Sequence, residues 1–191
     1  LYLIGQWSGL FALFSLAFLI ISCDTARFFD RFFGLDRIIK FQRKFSFLSF
    51  TFLFLHPLFF ILSGQSFTNY FIPSFYAFPL ALGTLAFYIF AAVMLFSYFY
   101  KRISYKAWQY IHVLTYILFF MSLSHAILWG SHSEDLGFLI VYFVVAAAVV
   151  VAATYRTRYK IIEFKRGAAS VSSVKWENDN IFTIAIKTNK P

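Results

Sequence analysis

The sequence predicts an all-α polytopic membrane helix bundle followed by the first β-hairpin of a truncated β-barrel. Three observations carry that expectation. Only 13% of the 191 residues are charged, while 61% are hydrophobic and 24% aromatic; an ordinary soluble domain is about 25% charged. The charges avoid long stretches: no Asp, Glu, Lys or Arg occurs from Phe45 to Tyr100, from Ala107 to Ser133, or from Leu136 to Tyr155. After Lys160 the apolar blocks give way to two short β-prone runs.

Each element follows in order. A membrane-spanning helix needs about 20 mainly apolar residues, and five blocks qualify: Leu1–Cys23, Phe45–Ser63, Phe75–Tyr100, Lys106–Trp129 and Leu136–Tyr155. The first has no basic stretch before it, so it reads as a span rather than a secretory signal. Because the chain opens at Leu1, a sixth helix before it is expected in the full-length protein. The connection after the first block mixes Phe28, Phe29, Phe32 and Phe33 with Arg and Asp. It reads either as a short interfacial helix or as a solvated loop. Short connections favour antiparallel neighbours in a bundle.

Lys and Arg orient the bundle. Arg27, Arg31, Arg37, Lys40, Arg43 and Lys44 lie between the first two blocks, and Lys101, Arg102 and Lys106 between the third and fourth. Arg156, Arg158, Lys160, Lys165 and Arg166 follow the fifth. The other two connections have no charge or only Glu134 and Asp135. The basic side is expected to be cytoplasmic, and the chain to be a multi-pass plasma-membrane protein with a cytoplasmic C-terminal domain. Ser170–Trp176 and Ile181–Lys187, separated by Glu177, Asn178, Asp179 and Asn180, predict a hairpin. The domain boundary is set at residues 1–159 and 160–191.

Several functions are disfavoured at once. A net charge of +9 could suit nucleic acid, but the basic residues sit in the clusters expected of membrane topology, so no nucleic-acid partner is expected. Lipid is. Cys23 is the only cysteine, which excludes disulfide frameworks and four-Cys metal centres within one chain. No carboxylate or Lys falls inside any of the five blocks, which disfavours ion-coupled transport.

The remaining chemistry is histidine. Of His56, His112, His125 and His132, the first three lie in apolar blocks. Ionisable groups in a bilayer are costly and mark functional sites, and imidazole is a common axial haem ligand. His56 and His125 share the outer half of the bundle on different helices, which suits one haem clamped between them. His112 lies about 20 Å below His125, from the helical rise per residue, where a second haem would sit. Thirteen residues turn the helix by about 140° short of a full turn, so His112 and His125 would share one interior only with tilt or a π-bulge. Interhelix hydrogen bonding is the other reading of such residues. His132 reads as solvated. Pro57 removes a helical hydrogen bond and kinks the chain, aiming His56 or serving bundle packing. Gly5 and Gly9 form a GxxxG pattern of close helix packing.

Three segments resemble a known family. Tyr105–His125 (YKAWQYIHVLTYILFFMSLSH) resembles the fifth helix of the ferric reductase and NADPH oxidase transmembrane family, with its Trp and two His spaced by 13. Phe41–Pro57 (FQRKFSFLSFTFLFLHP) resembles the third helix, where the family has two His spaced by 14. The tail SVSSVKWENDNIFTIAIKTNKP resembles the opening of the family's flavin-binding β-barrel. The resemblance implies haem b, with FAD and NAD(P)H in the full-length chain. It implies that His56 and His125 hold an outer haem, and that His112 stands at the inner position. There Gln42 replaces the usual partner His and is a poor ligand. The inner position would hold a five-coordinate haem, a flavin edge, as in the six-helix metalloreductases, or nothing. Arg43 would be a propionate partner or serve topology. The implied activity is an NAD(P)H oxidase or ferric reductase passing electrons through membrane haem to oxygen or a ferric chelate. The alternatives are a haem subunit serving a separate periplasmic enzyme, and a non-redox transporter or scaffold.

Overall fold

A computed structural model describes residues 1–99, 102–132, 134–165 and 170–187. Lys101 and Arg166 of the basic clusters lie outside the described residues. The chain divides into two compact units, Leu1–Ala152 and Ala153–Pro191.

The first unit is helical throughout. Helices α1 (Tyr2–Asp24), α3 (Leu35–Leu62), α5 (Phe78–Tyr98), α6 (Tyr105–Trp129) and α7 (Leu136–Lys165) correspond to the five predicted blocks. All five contain segments long and apolar enough to cross a membrane. The stretch around the four phenylalanines is helical, forming α2 (Ala26–Phe33), so the loop alternative fails. Its aromatic rings are exposed, and the Arg31 guanidinium lies 5.3 Å from the Phe28 ring centre. Gly34 separates α2 from α3 at φ +78°, a conformation that glycine adopts at no steric cost.

Helix α3 starts ten residues before the apolar block does. Its first turns carry Asp36, Arg37, Lys40, Arg43 and Lys44. Asp36 suits the positive end of the helix dipole, and Lys and Arg are good helix formers. Charge marked the edge of the bilayer, not the end of the helix. Helix α3 also runs unbroken through Pro57. The connection after it folds into a short α4 (Phe67–Phe71) and a 3₁₀ turn at Phe75–Ala77. Tyr70 stacks on Phe60, with ring centres 5.8 Å apart, and Tyr88 Oη donates to Phe71 O at 2.5 Å.

Small residues let α1 pack tightly. Gly5, Ser8, Ala12, Ser15 and Ala17 are buried along it, the device that membrane helices use to approach closely. The inner part of the core is large and apolar: Leu16 and Ile20 of α1, Phe90 of α5, Leu118 and Phe119 of α6, and Tyr142 and Val149 of α7. One ionisable group joins it. Asp24, the last residue of α1, is buried, and Tyr116 Oη reaches both of its carboxylate oxygens at 2.9 and 2.8 Å. The expectation that no carboxylate enters a span is corrected here: the helix extends one residue further than the block and carries Asp24 inward.

In the second unit, β1 (Ser170–Asn178) and β2 (Ile181–Lys187) pair antiparallel. Strand β1 is two residues longer than predicted, so the turn shrinks to Asp179–Asn180, with Asn180 N donating to Asn178 Oδ1 at 3.0 Å. Trp176 pairs with Phe182, and Val174 with Ile184; all four are exposed.

Candidate functional site

Helix α3 presents His56 and α6 presents His125 at one level of the bundle, with ring centres 6.3 Å apart and ring planes 84° to one another. Each ring is held from behind by a different helix. His56 Nδ1 lies 2.8 Å from Gly5 O of α1, and His125 Nδ1 lies 2.8 Å from Pro79 O of α5. A carbonyl oxygen can only accept, so Nδ1 carries the proton in both rings and Nε2 keeps its lone pair. This fixed tautomer is the arrangement found behind metal-ligating imidazoles. Among the described residues, no hydrogen bond engages either Nε2.

Two glycines make the seats. An ideal Cβ on Gly9 would stand 2.6 Å from His56 Cε1 and nearer still to its Nδ1. One on Gly83 would stand 2.8 Å from His125 Nδ1. In both helices the glycine comes four residues after the carbonyl that binds the ring, on the same face (Gly5 and Gly9; Pro79 and Gly83). The GxxxG pattern of α1 therefore serves an imidazole as well as a neighbouring helix. Sequence reasoning missed Gly83 and Pro79. A backbone carbonyl has no signature, but an isolated glycine in an apolar span is a signal of close approach.

Both rings line one cavity, together with Leu53, Pro57, Leu80, Phe87, Leu118, Ser122 and others. Pro57 is thus part of the cavity wall. At its exposed end the cavity is bounded by Tyr2, Gln6, Tyr70, Trp129, Gly130, Ser131 and His132. Gln6 Nε2 donates to Ser131 Oγ there. His132 is exposed as expected, yet it belongs to the cavity rim and lies flat on Phe138, with ring centres 4.4 Å apart. Burial first, then the nearby Tyr2, pushes the Tyr70 phenol above its ordinary value, so this side chain stays neutral at physiological pH.

The geometry fits a metal held between two imidazoles. A histidine nitrogen sits about 2 Å from a first-row metal, and the ring centre about 1.1 Å further back, so two axial imidazoles have centres about 6 Å apart. The observed 6.3 Å meets that requirement. Among the described residues, no cluster of three His, Cys, Asp or Glu could hold a bare ion. Two imidazoles alone suit a metal that brings its own equatorial ligands, as haem does.

The inner residues stand apart. Neither His112, Gln42 nor Arg43 lines this cavity. Helix α6 is α-helical along its whole length, without the π-bulge considered for bringing His112 and His125 to one face. Gln42 Nε2 donates to Ser22 Oγ of α1 at 3.4 Å. Arg43 stands 13 residues before His56 on the same helix, about 20 Å away, so it is not a partner for a group bound between His56 and His125. Tyr116, one turn after His112, binds Asp24; neither residue was singled out from the sequence.

An apolar multi-pass bundle with a paired-imidazole cavity defines a membrane protein equipped for a planar metal cofactor. Residues 8–123 match the family described as ferric reductase like transmembrane component, and the chain belongs to that family. It is an integral multi-pass membrane protein of an electron-transferring, oxidoreductase class. No curated protein matches the chain.

Proposed function

We propose that the chain is the haem-bearing core of a transmembrane oxidoreductase. Electrons enter from a cytoplasmic NAD(P)H–flavin module and leave to an acceptor on the opposite side. The observation that carries this reading is the pair His56 and His125. Their Nδ1 atoms are committed to backbone carbonyls, and their rings are spaced as two axial ligands of one iron require. Interhelix bonding alone would account for the Nδ1 contacts, but not for the cavity between the rings or the glycine seat behind each.

The chain's own contribution is ligation, orientation and burial; haem b supplies the one-electron chemistry when bound. His56 and His125 would hold it, in a wall of apolar side chains that excludes water. Three features support a single haem at this level: Gln42 in place of a second inner histidine, its bond to Ser22, and the separation of His112 from the cavity. The exposed apolar residues of the β1–β2 hairpin support a role as the opening strands of a flavin-binding barrel. They favour a fused flavin module over a haem subunit serving a separate periplasmic enzyme. The basic clusters support a cytoplasmic location for that barrel.

The test is a pyridine haemochrome assay on the purified full-length protein. One low-spin haem per chain is expected. A colourless protein would refute the proposal, and two low-spin haems would refute the single-haem assignment.

A further inference from the structure

The charges around the open end of the cavity bear on what receives the electrons. Residues 1–23, 45–100 and 107–155 contain no Lys or Arg. These stretches include every residue named above at the cavity's exposed end. The polar groups there are neutral: Gln6, Ser131 and Tyr70, with His132 against Phe138. The charges nearest in sequence are both negative. Asp135 Oδ1 accepts from Gly137 N at 2.7 Å and Phe138 N at 3.3 Å, so it caps α7 and its charge is partly offset by the helix N-terminus. Glu134 is exposed, two residues from the rim.

We propose that this mouth, bounded by Gln6, Trp129, Ser131 and His132, is the docking site of the external acceptor, and that it takes uncharged or cationic one-electron acceptors and disfavours anionic ferric chelates. The proposal rests on the electron-transfer reading above. An anionic chelate that comes close enough to collect an electron enters the field of Glu134 and Asp135, with no fixed cation nearby to offset it. Dioxygen feels no such force, and a cationic complex is drawn in. The electron count is simple. Each acceptor gains one electron, ferric becoming ferrous or dioxygen becoming superoxide. One NAD(P)H supplies two such electrons, becoming NAD(P)⁺ and releasing one proton on the cytoplasmic side.

Two measurements on the full-length protein test it. The first is reduction of hexacyanoferrate(III), hexaammineruthenium(III) and dioxygen, driven by NAD(P)H, at low and high ionic strength. Raising the salt from about 0.01 M to 0.15 M shortens the screening length from roughly 30 Å to 8 Å. The hexacyanoferrate rate should rise and the ruthenium rate fall, each by about threefold to tenfold, with dioxygen unchanged. Glu134→Lys should raise the hexacyanoferrate rate at low salt. The second measurement needs no cofactor. A Ser131→Cys protein, with Cys23→Ser, is modified by cationic and anionic methanethiosulfonates. The cationic reagent should react faster, relative to a free thiol, and Glu134→Lys should reverse the preference. Faster anionic labelling, or a hexacyanoferrate rate that falls with salt, overturns the proposal while a normal low-spin haem band leaves the electron-transfer reading intact. A parent protein with no haem band overturns both.

Discussion

Replacing Gly83 by Ala puts the histidine seats to a direct test. The added Cβ would lie 2.8 Å from His125 Nδ1 and 2.9 Å from its Cε1, whereas unstrained contacts begin near 3.5 Å. The ring must therefore retreat by about 0.6 Å or rotate. Either movement stretches the 2.8 Å bond to Pro79 O. Overpacking costs about 1–3 kcal/mol and the loosened hydrogen bond about 1 kcal/mol. A loss of about 2 kcal/mol or more weakens haem retention by roughly thirtyfold. Gly9→Ala should act likewise on His56, since its Cβ would come closer still. Gly5→Ala is the internal control: its Cβ would meet His56 O and Phe59 Cβ at 3.4 Å, an ordinary contact, and should be tolerated. The assay is haem per chain, together with the low-spin absorbance and paramagnetic resonance signals. A Gly83→Ala protein with full haem and an unchanged low-spin spectrum would refute the reasoning. So would a Gly5→Ala protein as damaged as Gly83→Ala.

Four further outcomes are expected. His56→Ala or His125→Ala should abolish the low-spin Soret signal, while His112→Ala leaves it largely intact; survival of the signal without His56 would contradict the ligand assignment. Gln42→His should raise the haemochrome stoichiometry toward two, and an unchanged value would count against His112 as the facing ligand. Tyr116→Phe removes the phenol from a buried carboxylate, a hydrogen bond to charge worth about 1.5–3 kcal/mol. It should lower thermal stability in detergent without shifting the haem spectrum. A cysteine at Ser131 should react with a membrane-impermeant reagent only from outside the cell, and labelling only from the cytoplasmic side would invert the topology.

The spans were legible because lipid imposes a composition that water does not tolerate: blocks free of charge, long enough to cross, separated by basic clusters. His56 and His125 were legible for the same reason, since few other ionisable groups enter those blocks. What stayed hidden depends on backbone and side-chain packing. Gly5 O and Pro79 O are carbonyls that any residue would supply, so nothing in the sequence marks them as ring partners. Gly83 acquires meaning only once His125 is placed against it. Helix α3 was read as starting at Phe45 because charge was taken as a boundary, although Arg37 to Lys44 are compatible with a helix that projects into water. Asp24 was assigned to a connection, and its burial depends on Tyr116, 92 residues away.

The length of α3 has an electrical consequence. Lys44 is its last cation, and His56 follows 12 residues later, about 18 Å along the axis. In a hydrocarbon layer about 30 Å thick, the imidazole pair stands roughly three-fifths of the way across from the basic side. An electron that reaches it on the proposed route has crossed about that share of the transmembrane voltage. At about 2.3 kcal/mol per charge per 100 mV, an inside-negative potential of that size contributes roughly 1.4 kcal/mol to outward transfer, close to a tenfold bias. Turnover is therefore electrogenic, and collapsing the membrane potential changes its driving force before any residue is altered.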